Sequence, residues 1–327
     1  MSGVSASCPI CAKSYGPAAH FCPLDGAALS LGGHNADPYL STTIAGQFEL
    51  LELIGLGSTG RVYRAYQADF QREVAIKILH RELLKSPSIV TRFLREAKLA
   101  SRLQHPNLVT LLTSGQLDGP DGEAYVVAEY LEGRTLRAAL STTERSLPLP
   151  RALHILLQVC DAVGEAHANS VVHRDLKPEN IMLVKRGLAL DIVKVLDFGA
   201  ARLDLSDATI LTQKGAILGT ARYASPECAR GQTVGPPSDV YSLAILLYEC
   251  LAGKTPFDGK NPVSVLLKHM QEPPIPLSSL PESAYVPPAI SRVVQENLAK
   301  TPEQRCQNAR DFGTAVAEAA RISGITL

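Results

Sequence analysis

The stretch HRDLKPEN, residues 173–180, places Asp175, Lys177 and Asn180 close together, and KVLDFGAARL follows with Asp197 two residues before Gly199. Asn180 and Asp197 are hard oxygen ligands of the kind that hold Mg²⁺ against phosphates. Asp175 is then left to accept a proton from a hydroxyl. Upstream, GLGSTGRV sets Gly55, Gly57 and Gly60 in the spacing G-x-G-x-x-G. That spacing alone is a weak signal, and a dinucleotide-binding turn needs a helix straight after it. Here RVYRAYQADFQREVAIKIL alternates like a hairpin. The pattern predicts a glycine-rich loop between antiparallel strands, folded over phosphates, with glycines letting backbone amides approach the anion. VAIK puts Lys77 on the following strand, and Glu96 lies mid-helix in FLREAKLA. A strand cation and a helix carboxylate can pair and hold the ammonium against phosphate oxygens.

These residues need a scaffold, and the chain offers one in two parts. QFELLELIG, GRVYRAYQ, REVAIKIL, LVTLLTSG and EAYVVAEY read as short strands divided by turns. Among them, SPSIVTRFLREAKLASRLQHP reads as a helix with Ser86 as N-cap and Pro87 at its first position. After residue 134 the pattern becomes helical. Leu153, Leu156, Leu157, Cys160 and Val163 share one face of PRALHILLQVCDAVGEAHANS. SDVYSLAILLYECLAG is apolar nearly all round, which predicts a buried helix closed by Gly253. NARDFGTAVAEAARISG reads as a last helix. A strand-rich lobe followed by a larger helix-rich lobe predicts a cleft between them.

Composition narrows the alternatives. Lys plus Arg equals Asp plus Glu, 32 each, and Trp is absent. Neither charge nor aromatics argue for nucleic acid or an anionic membrane as the main partner. The opening residues lack a basic stretch followed by an apolar one, and the most apolar run, VYSLAILLYECLAG, is too short to span a bilayer. The seven cysteines are odd in number, and Cys160, Cys228, Cys250 and Cys306 are scattered. That usage predicts a cytoplasmic protein with buried thiols.

With GLGSTGRV, VAIK, REAKLA, HRDLKPEN, DFG, GTARYASPE and SDVYSL in this order, residues 47–322 resemble the eukaryotic-like (Hanks-type) Ser/Thr protein kinases, bacterial members in particular. The resemblance implies an α+β bilobal kinase fold, with a β-rich N-lobe at 47–131 and an α-helical C-lobe at 134–322. It implies that Lys77 contacts the α- and β-phosphates of ATP and pairs with Glu96. Asp175 is implied as catalytic base, Lys177 as the γ-phosphate contact, and Asn180 and Asp197 as Mg²⁺ ligands. Adenine would lie between Ile54, Val62 and Ala75 on one side and Met182 on the other, with its edge read by the backbone of Glu129 and Leu131. Phe198 and His173 match spine residues, Asp239 the anchor of the catalytic loop, and Arg305 the partner of Glu227. His105 matches a turn residue. Two departures are mild: SPE at 225–227 replaces A-P-E, and Ala128 takes a position usually bulkier. Thr212, then Thr209, are the expected activation-loop phosphosites, with Arg174 and Arg202 to hold the phosphate. Thr220 matches a structural threonine. Protein substrates are implied. A pseudokinase-like scaffold is the alternative, weakened because no catalytic position is lost. A small-molecule kinase would lack GTARYASPE.

CPICAKSYGPAAHFCPLDG, residues 8–26, carries two hooks, C-P-x-C and C-P-x-D. Cys8, Cys11, Cys22 and Asp25 fit a tetrahedral zinc site of three sulfurs and one oxygen, with His20 the other candidate for the fourth ligand. So short a segment cannot bury a core, and the metal would have to supply its folding energy. Residues 1–30 therefore read as a small zinc-ribbon-like docking module, joined to the rest by a linker at 31–46.

Overall fold

The computed structural model describes residues 6–7, 14–15, 37, 39–57, 59–117, 122–142, 146–187, 189–197 and 221–326. Near the N-terminus, β1 (Ala6–Ser7) and β2 (Ser14–Tyr15) pair antiparallel, with Ala6 opposite Tyr15. Contacts then divide the chain into two units. One holds the described residues to 104 and Val109–Glu132; the other holds His105–Leu108 and the described residues from 133 onward.

The first unit is an antiparallel sheet of order β3-β4-β5-β6-β8-β7. Its strands are β3 (Thr43–Ile44), β4 (Phe48–Leu56), β5 (Gly60–Gln67), β6 (Arg72–Leu79), β7 (Leu111–Gln116) and β8 (Ala124–Glu129). Alternation decides which face is the core. Phe48, Leu50, Tyr63, Ala65, Val74, Ile76, Ile78 and Val127 are buried together, and their chain neighbours face the other way. Helix α1 (Arg81–Leu84) is a single turn; α2 (Pro87–Ala100) buries Ile89, Val90, Phe93, Ala97 and Ala100, a stripe at helical spacing. Ser86 is the α2 N-cap residue and Pro87 begins the helix, as expected, although the Ser86 side chain makes no capping bond.

The stretch read as a linker differs from that expectation in its described part. Tyr39 and Ile44 are buried in the core of this unit, and β3 pairs with β4. Asp37 accepts the Tyr63 hydroxyl at 2.9 Å and the Arg61 guanidinium at 3.1 Å. The segment is too short for a period to show, so its packing was invisible in the sequence.

The second unit opens with β9 (Gly133–Thr135), α3 (Leu136–Thr142) and α4 (Leu149–Ala168). A small antiparallel sheet follows, in which β10 (Ile181–Arg186) lies between β11 (Ala189–Val195) and β9. Then come α5 (Pro226–Ala229), α6 (Pro236–Ala252), α7 (Pro262–Gln271), α8 (Pro288–Asn297) and α9 (Ala309–Ile322). Helix α6 is buried at every residue from Ser238 to Ala252. It ends at Gly253, whose φ of 71° is open to glycine at no cost and whose N–H reaches the Glu249 carbonyl. Burial pushes the thiols of Cys160 and Cys250 well above the usual range, which makes them inert. Among the described residues no helix is long and apolar enough to cross a membrane.

Candidate active site

In the first unit the strand register collects the nucleotide candidates on one face. Val62 lies opposite Lys77, Gly55 opposite Val62, and Ala75 opposite Ala128. Directly opposed residues share a face, and so do residues two apart on one strand. Gly55, Val62, Ala75, Lys77 and Ala128 are therefore together, on the side away from Tyr63, Ile76 and Val127. Ile54, beside a register shift in β4, stays 42% exposed. The half-buried Val62 and Ala75 and the exposed Ile54 offer apolar surface suited to a flat aromatic ring. Glu129 ends β8; its N–H bonds the Thr110 carbonyl and its carboxylate accepts the Thr110 N–H, both at 2.9 Å. Leu131 follows, and among the described residues its backbone makes no hydrogen bond. Glu96 is half-buried on α2, between the buried Phe93 and Ala97.

The glycines divide by physical role. A Cβ at Gly60 would fall inside the van der Waals envelope of the Ile78 carbonyl, so Gly60 lets the loop close onto β6. At Gly55 and Gly57 a Cβ would meet nothing nearer than 3.6 Å. The protein's own packing does not require glycine there. Bare backbone at these two positions fits a cradle kept open for phosphate. Ser58, between them and Gly60, lies outside the described residues.

In the second unit the loop before β10 is held from beneath. The buried Asp239 carboxylate, on α6, accepts the backbone N–H of His173 at 2.7 Å and of Arg174 at 2.8 Å, with His167 Nε2 at 2.9 Å. This was the expected anchor. It holds Arg174 at φ 68°, a left-handed conformation costly for a non-glycine residue. His173 is fully buried: Nδ1 accepts the Asp175 N–H at 3.3 Å and Nε2 donates to the Leu196 carbonyl at 2.8 Å.

Asp175 is thereby presented with its carboxylate divided in role. Oδ2 accepts Lys177 Nζ at 2.7 Å and the Asn180 amide at 3.1 Å; that amide also donates to the Asp175 carbonyl at 2.8 Å. Oδ1 accepts no hydrogen bond among the described residues. Burial works against the charge of Lys177, yet the adjoining Asp175, with Glu179 and Asp197, raises its pKa overall. Asn180 commits its nitrogen to Asp175, which leaves the amide oxygen as the atom that could hold a metal. Asp197 is exposed and also at positive φ, 51°. Two hard oxygen donors of this kind fit Mg²⁺. Met182 lies on β10, opposite Thr135 and Lys194.

Two charged networks fix the elements around this loop. Glu227 and Arg305 form a buried bidentate pair, each bond 2.9 Å, as expected, and Ser238 donates to the same carboxylate at 2.5 Å. Burial alone would raise the Glu227 pKa; the bonds from Arg305 and Ser238 hold it below the usual carboxylate range. The second network was not legible beforehand. Arg137, on α3, donates to Glu179 at 2.9 Å, Glu249 at 2.8 Å and the Tyr223 hydroxyl at 2.5 Å, and Tyr223 donates to Glu249. No motif carries Arg137, so only the packing reveals it. His105 behaves as the expected turn residue: its Nδ1 accepts the Asn107 N–H at 3.1 Å.

Phe198, Gly199, Arg202, Thr209, Thr212 and Thr220 lie outside the described residues, as do Cys8, Cys11, His20, Cys22 and Asp25.

A model of the protein kinase domain matches residues 48–314, and the chain belongs to that family. Among its relatives, serine/threonine-protein kinase PknB of Mycolicibacterium smegmatis is 41% identical over 270 residues, covering 82% of this chain and 42% of PknB. Serine/threonine-protein kinase pkn3 of Myxococcus xanthus is 40% identical over 282 residues, covering 85% of this chain and 51% of its own. The chain thus spans about half or less of the length of these relatives. The crystal structure of the Mycobacterium tuberculosis PknI kinase domain superposes with a TM-score of 0.66 at 25% identity, covering 86% of this chain and 98% of that one.

Proposed function

We propose that this domain is a serine/threonine protein kinase that transfers the γ-phosphate of ATP to protein hydroxyls. The observation that carries the reading is Asp175: Oδ2 is tethered by Lys177 and Asn180, while Oδ1 stays available to a hydroxyl proton. The names of the relatives, all serine/threonine-protein kinases, support the substrate class. Asp175 orients the attacking hydroxyl and takes its proton. Lys177 already carries its charge beside that carboxylate, where a transferring phosphoryl group needs a cation. Lys77 and the bare backbone at Gly55 and Gly57 bind the nucleotide phosphates. Asn180 and Asp197 would hold Mg²⁺, which supplies neutralisation of phosphate charge.

Transfer of label from radiolabelled ATP to a generic protein substrate tests this. Asp175→Asn and Lys77→Met should each lower turnover by about two to four orders of magnitude with the fold intact. Near-normal transfer by Asp175→Asn would overturn the assignment, and a chain inert from the start would return the scaffold reading.

Three finer readings belong with it. Activation-loop phosphorylation at Thr212 or Thr209 rests on the resemblance and on Arg174 and Arg202; mass spectrometry of active protein finding neither modified would refute it. A cytoplasmic location rests on the cysteine usage. Zinc binding by Cys8, Cys11, Cys22 and Asp25 rests on hook spacing. Purified protein should carry about one zinc per chain, lost in Cys8→Ser/Cys11→Ser. Such loss should spare transfer to a generic substrate and impair docking to a physiological partner.

A further inference from the structure

We propose that His80 is a positioning residue for the phosphate-binding loop, an inference that rests on the kinase reading above. His80 follows β6 directly, three positions after Lys77. It holds the glycine-rich loop at two points. Its ring Nε2 lies 2.8 Å from the Gly57 carbonyl oxygen, and its backbone N–H reaches the Thr59 carbonyl at 2.9 Å. A carbonyl oxygen can only accept, so Nε2 carries the proton in this bond. The loop's other backbone bond joins the Gly57 N–H to the Gly60 carbonyl at 2.9 Å. Both ends of that bond are therefore referred to one side chain and one strand.

The base of this arrangement is fixed. Leu79 and Leu83, on either side of His80, are buried. The next residue, Arg81, donates to the Tyr39 hydroxyl at 3.3 Å, and that hydroxyl donates to Glu123 at 3.0 Å. The imidazole thus offers its donor from a constrained position. Gly60 packs against the Ile78 carbonyl, so the loop cannot settle closer to β6 than it already is. What remains adjustable is the position of the Gly57 carbonyl, and the His80 ring sets it. The consequence is functional: loop amides and Lys77 approach the same phosphates, and a residue bonded to the loop and rooted on the Lys77 strand keeps the two in register. His80 touches no substrate; it acts through Gly57.

The full chain can be titrated calorimetrically with the Mg²⁺ complex of a non-hydrolysable ATP analogue (AMP-PNP) and, separately, with adenosine. In His80→Ala the analogue should bind about three- to tenfold more weakly, the scale of one lost hydrogen bond. Adenosine, which lacks phosphates, should bind as it does to the unmutated protein. Glutamine carries its amide nitrogen close to the imidazole Nε2 position, and asparagine falls short of it. His80→Gln should therefore restore analogue affinity to within about twofold, and His80→Asn should behave like His80→Ala, a pattern that a general loss of packing would not produce. Unchanged analogue affinity in His80→Ala, equal weakening of adenosine, or equal behaviour of Gln and Asn would each overturn the proposal alone. Failure of the unmutated protein to bind the analogue would overturn the kinase reading and this proposal with it.

Discussion

Arg174 and Gly57 both lie in irregular backbone to which the proposed kinase reaction assigns phosphate-bearing substrate, and the two loops are built by opposite means. Around Arg174, a non-glycine residue is forced to φ 68° and kept there by a buried carboxylate that accepts two successive backbone N–H groups. The start of α6, which carries that carboxylate, is tied through Ser238 to the Glu227–Arg305 pair, and Arg137 bonds Glu179 of the same loop. Around Gly57, the backbone is held by two bonds from His80 and by a bond from the Gly57 N–H to the Gly60 carbonyl. A base that must wait for a hydroxyl at a fixed distance gains from an over-determined scaffold. A loop that must admit and release a nucleotide gains from having few fastenings.

The comparison can be broken most severely in the second unit. Arg305→Met strands the Glu227 carboxylate in the interior and should cost about 3–5 kcal/mol of stability, read by urea unfolding of the intact chain. The pH dependence should also change sign. In the unmutated protein Glu227 titrates below its unfolded value of about 4.5, so its contribution is complete above that pH and is lost as pH falls through the folded pKa. Without Arg305, burial raises the folded pKa, and stability at this site should instead fall as pH rises above the unfolded value. A variant that loses less than about 1 kcal/mol would mean that the pair is not a brace.

Asp239→Asn keeps the shape but replaces one acceptor oxygen with a donor nitrogen. One of the His173 or Arg174 N–H groups then lacks a partner, at a cost of about 1–3 kcal/mol. Turnover should fall while the KM for ATP barely moves, because the damage lies at the catalytic loop. A change confined to KM would contradict this reading.

Within the glycine-rich loop the effects should differ, and the smallest should fall at Gly57. Gly60→Ala forces a Cβ against the Ile78 carbonyl and should cost about 1–3 kcal/mol. In Gly57→Ala the Cβ comes only into ordinary van der Waals contact, 3.6 Å from the Gly60 carbonyl, and should change stability by no more than about 0.5 kcal/mol. Its effect should appear in the KM for ATP. Equal destabilisation by both substitutions would erase the distinction between a glycine kept for packing and one kept for the ligand.

Much of this was legible from residue order. The hairpin after GLGSTGRV, Lys77 on its strand, the buried helix closed by Gly253, the Asp239 anchor and the Glu227–Arg305 pair were all expected, and the structure has them. They were legible because each leaves a local mark: a period of two, an apolar run, a motif of fixed spacing. His80, Arg137 and Asp37 leave none. Each is a polar residue outside any motif, and each acts on a residue far away in sequence, such as Gly57, Glu249 or Tyr63.

By itself, then, the order of residues determined the chemistry available to this protein and the elements that carry it, because propensity, periodicity and motif spacing act over a few residues at a time. Only the tertiary structure decided which carboxylate oxygen of Asp175 accepts no bond among the described residues, which glycines the packing requires and which it does not, and which side chain bonds the Gly57 carbonyl. Those outcomes depend on distances between segments distant in sequence, and no local pattern records such distances.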